Sequence, residues 1–91
     1  MDNQEATLLL RNHLDDYRHR SYGDLVALLG ETQVAELQGP SGKSYQVEVE
    51  VFWDQQPAGA IHVLSAIDDG GWRAFKPLLE DFILAPNGTF V

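Results

Sequence analysis

Cysteine is absent from the 91 residues, which excludes a disulfide framework and thiolate chemistry. Cations are scarce as well: six Lys and Arg stand against 14 Asp and Glu, a formal charge of −8. The deficit is uneven. Residues 1–20 set Arg11, Arg18 and Arg20 against four acids, a net −1; residues 21–91 set Lys43, Arg73 and Lys76 against ten, a net −7. A chain without a basic face is poorly suited to direct binding of nucleic-acid phosphates. Its charge favours solubility or a basic partner. No apolar run approaches the roughly 20 residues of a membrane span, and the opening MDNQEATLLL is acidic with only three consecutive leucines, unlike a signal peptide. A soluble, cytoplasmic protein without membrane contact is expected.

What is present suits one small domain over residues 1–91. An apolar fraction of 44% with 22% charged is that of a globular chain rather than a disordered one. Asp2 and Glu5 have capping-box spacing, and Ala6, Leu10, Leu14 and Tyr17 recur at helical intervals, predicting a helix over 4–20. Ser21-x-x-Asp24 opens a shorter helix with Leu25, Leu28 and Leu29 on one face, stopped at Gly30. From Gln33 the period changes to two. Strands are expected over 33–38, over 44–53, where Tyr45, Val47, Val49, Val51 and Trp53 alternate with other residues, and over 60–67. A short fourth strand is expected at 72–76. Residues 77–84 fit either a helical turn or an extended piece, and Pro86-Asn87-Gly88 is a turn.

The stretch SAIDDGGWRAF (65–75) could be the floor of an active site or a tight turn. Adjacent residues in a strand point to opposite sides, so Asp68 and Asp69 would not converge on one substrate, and Asp-Gly is a strong hairpin signal. A turn at Asp69-Gly70 sets Ile67 opposite Trp72, Ser65 opposite Ala74 and Leu64 opposite Phe75, with Val51 beside Ile61 or Val63. The fold class that results is α+β: two N-terminal helices packed on one face of an antiparallel β-meander of about four strands.

Other candidate chemistry resolves in the same way. GPSGKS (39–44) resembles the end of a phosphate-binding loop, but Leu37 occupies the first glycine position and a strand, not a helix, follows. A turn between strands is expected. His13, His19 and His62 lack the spacing of a metal-ligand set, and no metal or cofactor is expected. The sequon Asn87-Gly88-Thr89 fits a plain turn. What remains is the sheet face opposite the helices, expected to carry Glu48, Glu50, Phe52, His62, Leu64, Arg73 and Phe75. Charge mixed with large apolar groups suits either a surface covered by the C-terminal segment or a binding surface.

YQVEVEVFWD (45–54) and SAIDDGGWRAFKPLLEDFILAPNGTFV (65–91) resemble a family of small bacterial proteins of uncharacterised activity, which share a V-F-W-D strand, a D-D-G-G-W-R-A-F turn and a D-F-x-x-A-P-[ND]-G-x-F-V ending. The resemblance covers about half the chain and implies a bacterial origin, with no catalytic residue to carry over. The function expected is a non-enzymatic interaction or small binding module with a protein partner or a second copy, through Glu48, Glu50, Phe52, His62, Arg73 and Phe75. One alternative is a small enzyme or ligand-binding protein with a pocket near His62, Glu50 and Arg73, in which Glu50 orients His62 across strands. Another is an acidic decoy of a basic nucleic-acid-binding protein.

Overall fold

In the computed structural model, residues 2–70 and 77–91 are described. Helix α1 spans Asn3–Arg18 and α2 Tyr22–Val26, followed by strands β1 (Thr32–Gln38), β2 (Ser44–Trp53), β3 (Ile61–Asp68) and β4 (Leu78–Leu84). The helix starts are made by side chains that satisfy orphan backbone donors. Asp2 Oδ1 accepts the N–H groups of Gln4 and Glu5, each at 3.1 Å, and Ser21 Oγ accepts that of Asp24 at 3.1 Å. Glu5 does not complete the capping box suggested by its spacing; its carboxylate reaches the β1–β2 turn instead.

The four strands form one antiparallel sheet in the order β1-β2-β3-β4, giving an α+β protein. Val51 faces Val63, which fixes the β2–β3 register. Burial alternates along β2: Tyr45, Val47, Val49 and Val51 are buried, while Gln46, Glu48, Glu50 and Phe52 are exposed. The same two-residue period runs along β3. Ala6, Leu10 and Leu14 of α1, Leu25 of α2 and the inward residues of the sheet belong to one buried cluster. Ser65 is the polar residue buried there, and its hydroxyl donates to the Glu80 carbonyl at 2.7 Å. Among the described residues no helix is long and apolar enough to cross a membrane.

The fourth described strand lies later in the chain than the sequence suggests. Ile67 faces Leu78, Ser65 faces Glu80 and Leu64 faces Asp81, in place of Trp72, Ala74 and Phe75. The expected strand over 72–76 falls outside the described residues, as do Arg73 and Phe75. Leu78, Leu79, Phe82 and Ile83 have a spacing that also suits a helix, which is why the segment reads ambiguously. Pairing with β3 decides the matter, because the open edge of that strand needs backbone partners. Glu80 then points inward, with Arg11 Nε 3.5 Å from its carboxylate, and Phe82 is buried beneath the Arg18 guanidinium. The segment therefore extends the sheet; Leu78–Leu84 does not fold over its exposed face.

Candidate functional site

The exposed face of the sheet is ordered in rows by the strand register. Val34, Glu48, Ala66 and Leu79 lie side by side, then Thr32, Glu50, Leu64 and Asp81, then Phe52, His62 and Ile83. Three large apolar side chains in these rows meet solvent: Val34 is 60% exposed, Leu79 59% and Phe52 38%. Glu36, Glu48, Glu50, Asp68 and Asp81 share the face, and no lysine or arginine occurs in any of the four strands. Three of the chain's cations sit on or just after α1, where Arg11, Arg18 and Arg20 meet Glu80, Asp15 and Asp16. A hollow of about 90 Å³ lies between the rows, lined by Glu48, Glu50, Leu64, Ser65, Ala66 and Leu79.

His62 is held by carboxylates the sequence does not associate with it. Its Nε2 is 2.7 Å from Asp81 Oδ2 on β4, and its Nδ1 is 3.7 Å from Asp54 Oδ1 in the loop after β2. The Phe52 ring lies across the strand pair with centroids 4.8 Å apart. Glu50 does not orient the imidazole, because Phe52 takes the slot directly opposite His62 and Glu50 faces Leu64 one row away. Asp81 could be found only by recognising β4 as a strand in this register; Asp54 follows from its place at the end of β2. The Asp81 carboxylate orients the ring through Nε2, and among the described residues no hydroxyl hydrogen-bonds to it, so no nucleophile–base pair is seen there. Among the described residues, no group of three or more His, Asp or Glu has an arrangement that could hold a metal ion, Asp54, His62 and Asp81 included. Asp68 closes its own turn, accepting the Gly70 N–H at 2.8 Å. At the far turn Asn87 Oδ1 likewise accepts from the Thr89 N–H and hydroxyl.

GPSGKS is a hairpin turn, with Gly39 N–H donating to the Lys43 carbonyl at 2.9 Å. It does hold an anion, one supplied by α1. Glu5 Oε1 accepts from the Ser41 hydroxyl at 2.7 Å and the Tyr45 hydroxyl at 2.8 Å, and Oε2 accepts the Ser41 N–H at 3.0 Å. The bond from the Ser41 hydroxyl, then that from Tyr45, holds the Glu5 carboxyl below its usual range. Burial, reinforced by Glu5, pushes the Tyr45 phenol up to about 12. The turn is thus occupied by structure, which leaves the sheet face as the candidate site. No family model matches this chain, and comparison with curated proteins and with solved structures finds no match either.

Proposed function

We propose that this chain is a non-enzymatic interaction module: its two helices cover one face of the sheet, and the opposite face, around Glu48, Glu50, Phe52 and His62, docks a protein partner. The observation that carries the reading is the exposure of Val34, Phe52 and Leu79 together on that face. Large apolar groups interspersed with charge on one exposed face are more than a solvated face needs, and they suit an interaction surface. The buried cluster shared by α1, α2 and inward residues of β2, β3 and β4 supports the layering.

A surface kept for a partner contributes little to folding, and this separates it from an unfinished core. The double substitution Val34→Thr with Leu79→Thr is expected to leave chemical-denaturation stability within about 0.5 kcal/mol of the parent. Leu84→Ala, at a buried inward position, is expected to cost about 2–5 kcal/mol. A loss of core size from the Val34/Leu79 pair would mean that the face serves the fold, and the docking role would be withdrawn.

A further inference from the structure

We propose that the partner is cationic: an amphipathic helix of another protein, with one Lys or Arg side chain seated in the hollow between Glu48 and Glu50. The inference rests on the docking role of the sheet face and adds the chemistry of what docks. The first observation is the hollow itself. It is lined by the apolar Leu64, Ala66 and Leu79, by Ser65, and by two carboxylates, Glu48 and Glu50. Glu48 and Glu50 are two residues apart on one face of β2, so their Cα atoms lie about 7 Å from each other. Lysine and arginine have this form in reverse, an aliphatic stem ending in a positive head. A leucine would meet the apolar lining but form no ion pair with Glu48 or Glu50; an acid would be repelled.

The second observation is charge over the whole face. Glu36, Glu48, Glu50, Asp68 and Asp81 are set among Val34, Leu64, Leu79 and Ile83, and no lysine or arginine from the strands balances them. A complementary surface carries cations beside apolar groups. A second copy of this chain is disfavoured on two counts. Paired face to face, two copies would set the same acids against one another. Four strands of about seven residues also present a footprint of roughly 19 by 23 Å, about 400 Å², below the about 800 Å² per partner of a standard stable interface. Such a footprint matches one helix of about four turns. Sheet faces are covered by helices or by other sheets, and a single segment can supply only the former.

The test uses the full chain, ¹⁵N-labelled, titrated with three synthetic peptides of equal length: a Leu/Lys amphipathic helix, its Leu/Glu counterpart and a Ser/Lys sequence. The Leu/Lys peptide is expected to shift the amides of Glu48, Leu64, Ala66 and Leu79, with the Ser/Lys peptide weaker and the Leu/Glu peptide without effect. Glu48→Gln with Glu50→Gln is expected to weaken Leu/Lys binding about three- to tenfold, the scale of two partly exposed ion pairs. Asp15→Asn with Asp16→Asn, which removes the same formal charge from α1, is expected to leave the affinity unchanged. Equal losses from both double variants would reduce the effect to net charge and overturn the cation site. Binding of the Leu/Glu peptide at the same amides would also overturn it while leaving the docking role intact. If no peptide moves those amides, both readings fall.

Discussion

The Tyr45 hydroxyl donates to Glu5 Oε1 across 2.8 Å, joining the first turn of α1 to the start of β2. Forty residues separate the two in sequence, so the bond exists only in the folded chain. Its partners respond to pH in opposite directions. Glu5 is held below its ordinary range when folded, so the unfolded chain binds its proton more readily. The stability it contributes is complete above the ordinary carboxyl range and is lost as pH falls through the folded value. Tyr45 is raised to about 12 against about 10 when unfolded, so its contribution is complete below about pH 10 and is lost as pH rises toward 12. Urea titrations across pH are expected to show an acid limb that flattens in Glu5→Gln and an alkaline limb that flattens in Tyr45→Phe. An acid limb unchanged by Glu5→Gln would assign it to other carboxylates.

Gly39 is fixed by the same carboxylate. A Cβ added there would lie 2.5 Å from the carboxyl carbon and Oε1 of Glu5. The clash is with the end of a flexible side chain, so the backbone can stay and Glu5 must leave. Gly39→Ala is therefore expected to destabilise by about 1–3 kcal/mol, in the range of overpacking, and to release Ser41 and Tyr45 from their acceptor. In a Glu5→Ala background the same substitution is expected to be nearly neutral. A double-mutant cycle measures that coupling, and additive effects would contradict the contact.

Much of this architecture was legible because its signals are local. Apolar spacing places α1, the Ser21 cap places α2, and alternation places β2 with Val51 beside Ile61 or Val63, of which the structure takes Val63. Glu48, Glu50, Phe52 and His62 were assigned to the exposed face for the same reason: parity along a strand fixes the face. β4 was not legible. Leu78, Leu79, Phe82 and Ile83 satisfy two periods at once, and only the unpaired edge of β3 selects one. With 77–84 open between a helical turn and an extended piece, the sequence does not bring Asp81 to His62, and Glu50 is the acid it offers there. The Glu5 bonds were equally hidden, because a capping-box pattern and a turn motif each have a complete local explanation that competes with the contact between them.

Ala58 is held in a left-handed conformation by the loop around it. It adopts φ +65° in the loop between β2 and β3, a left-handed conformation in which a Cβ crowds the following carbonyl. Glycine is found next to it, at Gly59, where it is not needed for that torsion. The loop is nevertheless held: Asp54 N–H donates to the Ala60 carbonyl at 2.9 Å, Gly59 N–H to the Gln56 carbonyl at 3.1 Å, and the Tyr22 hydroxyl to the Gly59 carbonyl at 2.7 Å. The fold therefore imposes the torsion on alanine. Ala58→Gly relieves about 1–2 kcal/mol of left-handed strain and gives back about 0.5–1 kcal/mol to the extra freedom of unfolded glycine. A net gain of up to about 1.5 kcal/mol is expected in thermal or urea unfolding. Tyr22→Phe, by contrast, removes a tether and leaves the torsion in place, so it is expected to destabilise by about 0.5–1.5 kcal/mol. A destabilising Ala58→Gly would mean that the strain is not there.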